Sequence, residues 1–478
     1  MGTITDTNII EVDFGADSRA KYVVLEGAVR AAIERGDLPP GTRLPPVRDL
    51  AWKIGVTPGT VARAYSRLTD AGVLTAEVGR GTFVAEPEAP APLYKEFQAP
   101  LAVDAIRHGT GGDSWAVNML SPHLPSVGQT ALIRSLLGEI AQDPPSGLMH
   151  YPHYEGEAPA RAAAAAFLSG PMFGPVAPEE IALSHGGQQA IALVLQCVLR
   201  GRRPAVLLEE LAYPGFRRMA EVLRADVIDV AIDEHGIVPE ALRAAARDPD
   251  AQILCVSPDV QNPTCTEMPL ARREALVAAA RATDIQILED DCYRMGPATL
   301  PSLRLLAPER VWSVSSVAKT VTPALRLGFA VAPPGRQLAL RRATEYNSFG
   351  LATPMSDLAA RLLVHPELPG LMAALRAEVA AYVEDARRIL DGHALTARPD
   401  ISFLWLRLPS GWRASSFCRA AEEAGVKLRA AEEYAARDAN APHAVRFAVN
   451  TGVTRESWQA ALTRLRGLLD HPPEGLGV

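Results

Sequence analysis

The sequence predicts a multidomain chain, a small and mainly helical N-terminal head joined by a linker to a large α/β body. Three observations lead there. The chain has 478 residues, too many for one hydrophobic core. Residues 85–100, Ala-Glu-Pro-Glu-Ala-Pro-Ala-Pro-Leu-Tyr-Lys-Glu-Phe-Gln-Ala-Pro, are rich in Pro and Ala and read as a semi-extended spacer. Beyond them, short apolar runs alternate with Ala-rich helical stretches, which implies a mainly parallel sheet covered by helices. The expected boundaries are a head over 19–86, a linker over 87–117 and a body over 118–478.

In the head, residues 22–35 carry Val24, Leu25, Val29, Ala32 and Ile33 at helical spacing, and Gly36 ends the run. Residues 46–54 form a short second helix with Leu50 inward, and Gly55-Val56 make the turn. Thr57 caps a third helix, with Pro58 at the first position, where a missing N–H costs nothing. Val61, Ala64, Tyr65 and Leu68 form its buried face, leaving Thr60, Arg63 and Arg67 elsewhere. Residues 73–76 and 82–85 pair as a hairpin around Val78-Gly79-Arg80-Gly81. This is a helix-turn-helix followed by a wing, although spacing alone fits a plain three-helix bundle with a surface hairpin equally well. In the first case the capped helix lies in the DNA major groove, and Arg80 and the wing glycines approach the backbone.

The string Leu44-Pro45-Pro46-x-Arg48-Asp49-Leu50-Ala51, then Gly55-Val56-Thr57-x-x-Thr60-Val61-x-x-Ala64-Tyr65-x-x-Leu68, Gly72 and Gly79-x-Gly81-Thr82-Phe83-Val84, resembles the GntR-type winged helix throughout. The resemblance implies that Arg48 contacts phosphate or base and that Thr57 and Thr60 sit at the DNA. With them, Arg63, Gly79, Arg80 and Gly81 complete the expected DNA-binding set. Pro58-Gly59 depart from the pattern, which often has an Arg there.

In the body, strands are expected at Ala205–Glu209, Asp226–Val230, 253–257, 285–289 and 311–315. Lys319 follows the last of these, at a strand's carboxyl end, where open α/β sheets bind ligands. Chemistry through an aldehyde cofactor needs an amine, an acid opposite a pyridine nitrogen, a phosphate cup and a partner for a phenolic oxygen. Lys319 supplies the amine. Ser316 and Arg326 can serve a phosphate. Asp290 places a carboxylate near the same rim, with Tyr293 three residues on, and Asn262 ends another strand. Gly186-Gly187-Gln188 open the helix over 189–199 and offer bare N–H groups at its positive end. Each piece has a plainer reading: solvated lysine, turn aspartates, tight helix entry, a core Tyr213, a surface strand charge at Arg446.

Jointly the body resembles fold-type I aminotransferases, the aspartate aminotransferase class, over about residues 118–470, with a large subdomain at about 150–365 and a small one from the flanking segments. The resemblance implies pyridoxal 5'-phosphate held by Lys319, with Asp290 at the pyridine nitrogen and Tyr293 and Asn262 at the ring oxygen. Tyr213 would stack on the ring. Gly186, Gly187, Gln188, Ser316 and Arg326 would cup the phosphate, joined by Tyr151 from a neighbouring subunit. Arg446 would clamp an amino acid's α-carboxylate. Cys265 stands in place of a glycine after Asn262-Pro263-Thr264. Ala318 replaces a serine before the lysine, and Leu211 stands where a proline is usual.

A GntR head, a linker and this body together resemble the MocR arrangement of GntR-family regulators. It implies a DNA-binding transcriptional regulator that senses an amino-acid or amine effector, or pyridoxal phosphate itself. The alternative is an active aminotransferase with an accessory head. A homodimer, with heads swapped over the partner's bodies in one version, and a double-stranded DNA operator are implied as well.

Composition bounds the rest. The chain is 48% hydrophobic and 22% charged with net charge −7. Residues 19–86 hold ten Lys/Arg against seven Asp/Glu, a basic head on an acidic body, which fits polyanion binding confined to the head. The most apolar runs, such as 191–199, fall short of the ~20 residues a bilayer needs. Residues 1–16 are acidic and polar, unlike a secretory signal. Five scattered cysteines without a CxxC pair argue against disulfides or zinc and for a cytoplasmic location. No histidine set has metal spacing; Tyr151-Pro152 separate His150 from His153 and break any helix face. Residues 101–117, with His108-Gly109-Thr110-Gly111-Gly112-Asp113, read as a loop.

Overall fold

The computed structural model describes Val12 and residues 20–77, 81–85, 116–142, 148–436 and 439–472. Gly79 and Arg80 of the expected wing, the linker up to residue 115 and the loop at 108–113 lie outside the described residues. The chain divides into two compact units at residues 99 and 100.

In the first unit, helix α1 (Lys21–Glu34) buries Leu25, Val29 and Ala32 and stops where Gly36 takes φ +83°. Helix α2 (Val47–Lys53) buries Leu50 and Ala51. Helix α3 (Pro58–Asp70) begins at Thr57, whose hydroxyl accepts the Thr60 N–H at 3.3 Å and lies 2.9 Å from the Thr60 hydroxyl. Strands β1 (Leu74–Glu77) and β2 (Gly81–Val84) pair antiparallel, Leu74 with Val84 and Glu77 with Gly81. Leu25, Val29, Leu50, Val61, Leu68 and Val84 meet in one core. Each such side chain stabilises the head by about 1.5–3 kcal/mol before entropy is counted. Tyr65 donates to the Pro45 carbonyl at 3.0 Å and ties α3 to the chain entering α2. The hairpin packs its Leu74 and Val84 into that same core, so it is part of the fold and not a free surface ribbon.

The second unit is built on a seven-stranded sheet. Its strands are β3 (Ile181–Ser184), β4 (Ala205–Glu209), β5 (Asp226–Val230), β6 (Ala251–Val256), β7 (Gln286–Asp291), β8 (Val311–Ser316) and β9 (Gly328–Val331). The spatial order is β3-β9-β8-β7-β6-β4-β5. All neighbours are parallel except β9, which runs antiparallel to β3 and β8. Side chains alternate between the faces. Leu208, Cys255, Leu288 and Val314 pack toward a helix over Gly187–Val198. Leu207, Leu254 and Ile287 pack on the opposite face with Leu276 and Ala280. Burial on both faces explains why these runs are continuously apolar.

A second sheet holds β10 (Leu395–Thr396), β11 (Phe403–Arg407), β12 (Arg429–Ala430) and β13 (Ala444–Ala448), all antiparallel, in the order β10-β11-β13-β12. Val117-Asn118 pair with Val426-Lys427, which brings the start of the body beside this C-terminal layer. Two sequence expectations shift, and one plainer reading falls. Asp290 lies within β7, not after it. Asn262 does not end a strand: β6 stops at Val256, before Pro258, which has no N–H for a ladder. Arg446 sits inside β13 and is buried, so it is not a surface strand charge.

Cys265, in the place of the resemblance's glycine, takes φ +64°. That left-handed conformation suits glycine and is strained for other residues. The side chain is fully buried with Phe403 and Leu211 and accepts the strain. A β-branched residue fits that backbone worst. Cys265→Val is therefore expected to destabilise the body by about 2 kcal/mol in denaturant unfolding, with Cys265→Gly costing less.

Candidate functional site

The carboxyl ends of β7 and β8 form the site's floor. Their parallel register sets Asp290 beside Val314 and Asp291 beside Ser315. Asp290 is buried and accepts the Cys292 N–H at 3.0 Å. Burial pushes its carboxyl up to about 6. A cation set against it would restore its charge. Lys319 follows β8 by three residues, with its amine 5.7 Å from the centre of the Tyr293 ring. Burial first, and Arg446 second, bring its amine down to about 8. An amine so lowered is a better nucleophile near neutral pH.

Tyr293 is the centrepiece. Arg446 also stands near this ring, with Cζ 5.9 Å from its centre and 4.1 Å over Phe403. The Arg446 guanidinium is buried, donates to the Leu120 carbonyl at 3.4 Å, and leaves Nε and Nη2 without partners. A buried guanidinium in that state is costly unless an anion joins it. Asn262 is buried with Oδ1 unpartnered. Tyr213 lies edge-on to Tyr293, centroids 6.3 Å apart, and donates to Gln188 Oε1 at 3.1 Å.

The glycines are forced by close approach. A Cβ on Gly186, at φ +84°, would stand 2.6 Å from Arg326 Nη2. One on Gly187 would stand 2.6 Å from Cys292 Sγ, and one on Gly328 2.5 Å from the Gly186 carbonyl carbon. The helix over Gly187–Val198 thus starts against Arg326. The Gly186 N–H is spent on the Ser184 carbonyl and the Gln189 N–H on the Gly186 carbonyl, which leaves the Gly187 and Gln188 N–H groups without an acceptor among the described residues, a suitable anion cup. The Gln188 side chain also donates to the Gly215 carbonyl at 3.1 Å, so its offer to that cup is its backbone N–H. Arg326 is itself left-handed at φ +50°, exposed, and donates to the His185 carbonyl at 3.3 Å. Ser316 is buried at the end of β8, where it bonds the Cys292 thiol.

Tyr151 is apart from this group. It is 78% exposed and lies 5.2 Å from Phe349, itself exposed. That placement is what a residue reaching another subunit requires.

Sequence reading missed three residues, His123, Glu209 and Arg43, and the structure brings Cys292 to the site as well. Cys292 lies between Asp290 and Gly187. His123 is half-buried with an inaccessible, unpartnered Nδ1, and its imidazole is lowered by burial first and also by the nearby Lys319 charge. Glu209 is fully buried, and burial pushes it up to about 8. In the head, Arg43 bridges to Phe83, exposed, with its guanidinium where a Gly81 Cβ would go. None belongs to a recognisable motif; only the fold brings each into place. Of the expected DNA-binding residues, Arg48, Thr57 and Arg63 are exposed and Thr60 is half-buried. Arg63 lies 4.4 Å over the Tyr22 ring.

Residues 21–84 match the family of bacterial regulatory proteins, gntR family, and residues 125–465 match aminotransferase class I and II. The chain is 26% identical to YdeF, an HTH-type transcriptional regulator of Bacillus subtilis (strain 168), over 94% of each chain. It is 32% identical to PdxR, an HTH-type pyridoxine biosynthesis transcriptional regulator of Corynebacterium glutamicum, over 64% of each. Among solved structures, LysN, an α-aminoadipate aminotransferase from Thermus thermophilus complexed with N-(5'-phosphopyridoxyl)-L-leucine, superposes with a TM-score of 0.65. It is 25% identical, over 78% of this chain and 95% of LysN.

Two outcomes follow from the geometry. Gly187→Ala is expected to cost about 2 kcal/mol through its clash with Cys292. Cys292→Ala in the same chain should recover most of that loss, and a thermal double-mutant cycle reads the coupling. The amine of Lys319 should react with formaldehyde under reducing conditions with a half-maximal rate near pH 8, falling below it as the amine protonates. Peptide mass spectrometry follows this, with exposed lysines still gaining rate above that pH.

Proposed function

Since the chain belongs to the MocR-type regulators of the GntR family, a winged helix-turn-helix fused to a class I and II aminotransferase body, we propose that it is a DNA-binding transcriptional regulator that senses an amino acid or amine through pyridoxal 5'-phosphate. One observation carries the sensing part. The Lys319 amine and Cζ of the buried Arg446, whose Nε and Nη2 have no partner among the described residues, lie 5.7 and 5.9 Å from the same Tyr293 ring centre. An amine-reactive group and a carboxylate receptor beside one ring suit a molecule carrying both an amine and an acid. A reading in which pyridoxal phosphate alone is the signal leaves Arg446 without a purpose.

The residues present fit the cofactor. Pyridoxal phosphate supplies an aldehyde for an amine and a ring that draws electrons from it. Lys319 would hold its aldehyde carbon and Asp290 its pyridine nitrogen. Asn262 and Tyr293 would meet the ring oxygen, and Tyr213 would cover a ring face. Gly186, Gly187, Gln188, Ser316 and Arg326 would bind the phosphate, with Tyr151 from the partner in a homodimer. The exposed Met149, Tyr151, Tyr346 and Phe349 support that dimer. Heads exchanged between the bodies remain part of the proposal. Arg446 orients the effector carboxylate, and His123 lines the effector's surroundings.

Arg48, Thr57, Thr60, Arg63 and Gly79-Arg80-Gly81 form the proposed operator contact, with Arg43 added at the root of the wing. Effector binding acts on DNA only through a difference in affinity between two arrangements of the chain. Thr57 is already spent on its cap, so it positions α3 more than it reads bases.

The test is direct. Protein given pyridoxal phosphate should keep visible absorbance through gel filtration, and Lys319→Ala should lose it; an unchanged spectrum removes Lys319 from the site. Binding to DNA upstream of its own gene should weaken steeply with salt. Arg48→Ala should reduce the slope of log K against log salt by about 1. Amino acid with a keto acid should give no sustained turnover; many turnovers per site would make the chain a working aminotransferase.

A further inference from the structure

A second cavity lies on the other face of the sheet from Asp290. Successive residues of a strand point to opposite faces. Asp290 and its neighbour Val314 face the proposed cofactor, so Asp291 and Ser315 face away, and both line this cavity. Its volume is about 510 Å³, within the ~300–1,000 Å³ range of small-molecule sites. Lys319, Asp290, Tyr213, Asn262 and Arg446 are not on its walls.

The walls are mostly apolar. Phe167 comes from the helix Ala158–Leu168, and Leu363, Leu368 and Met372 from the helix Leu368–Ile389 and the turn before it. The charged residues divide sharply. Asp291 and Arg294 are ion-paired, and Arg294 also holds Asp259 at 3.0 Å. Arg376 is different: half-buried on the wall, it makes no hydrogen bond or ion pair among the described residues. Thr320, next to Lys319 in sequence, adds a buried hydroxyl without a partner.

An apolar chamber with one unspent guanidinium selects for a ligand with an apolar body and one negative end. Ligands of higher negative charge are disfavoured by the apolar walls and by Asp291. We propose that this cavity is a second ligand site, taking an amphiphilic monocarboxylate whose acid meets Arg376 and whose body lies among Phe167, Leu363, Leu368 and Met372. The site does not depend on the cofactor reading. Ser316 and Thr320 belong to its wall and to the segment that carries Lys319, so the two sites share a strand end.

Calorimetric titration of the full chain with octanoate tests this, with octanol as the uncharged counterpart. Octanoate should bind once per chain with a Kd below about 1 mM. Arg376→Leu should weaken it about tenfold or more, as should the change to octanol, whereas Arg376→Lys should keep most of the affinity. Arg446→Leu and saturating pyridoxal phosphate should leave octanoate binding in place. No saturable binding, equal binding to Arg376→Leu, or equal binding of octanol would overturn the proposal. So would loss of octanoate in Arg446→Leu or its displacement by pyridoxal phosphate, since the acid would then occupy the other site. Should Arg376→Leu fail to fold by its thermal melt, the octanol comparison still decides.

Discussion

The site depends on the parallel pairing of β7 with β8. With Asp290 opposite Val314, the buried carboxylate and the segment leading to Lys319 leave the sheet side by side at its carboxyl edge. A slip of one residue would turn Asp290 to the opposite face and bring Asp291 in its place. The register is held by burial on both faces, Leu288 and Val314 toward one layer and Ile287 and Val311 toward the other. The antiparallel β9 then returns along β8 and brings Gly328 against Gly186, which sets the helix start beside Arg326. Core packing and cup geometry are therefore one constraint.

Onto this frame the chain places polar groups that its own structure leaves unsatisfied. Arg446 lacks partners for two nitrogens, Asn262 for its carbonyl, and Asp290 is raised by burial without a cation. Arg273, by comparison, is fully buried yet pairs with Asp259 at 2.6 Å and donates to carbonyls of Met268 and Pro301. Unsatisfied buried groups each cost about 1–3 kcal/mol, and a fold retains several together where something else completes them.

Much of this was legible in the chain. The head's cap at Thr57, the glycine stop at Gly36 and the strands Ala205–Glu209 and Asp226–Val230 stand where local spacing puts them, because each is set by neighbours in sequence. Asn262 was misplaced because the apolar run through Ser257 hides the break that Pro258 imposes. For Arg446 the sequence leaves a surface strand charge open beside the carboxylate clamp that the resemblance implies; its burial over Phe403, distant in sequence, speaks against the first. His123 and Arg43 carry no motif, and their roles arise only from long-range contacts at Asn450 and Phe83. The strained Cys265 is legible only through its resemblance to a glycine position, which the left-handed backbone explains.

The central claim is that amine chemistry at Lys319 and carboxylate recognition at Arg446 are felt at the DNA. The most direct measurement is fluorescence anisotropy of labelled DNA from upstream of its own gene, at one fixed salt concentration. The full chain is loaded with pyridoxal phosphate and challenged with a panel of amino acids and amines. The account predicts that at least one of them changes the Kd for DNA about fivefold or more, and that Lys319→Ala and Arg446→Leu abolish the change while still binding DNA. An affinity that no member of the panel alters, or a shift that persists in both variants, would contradict it.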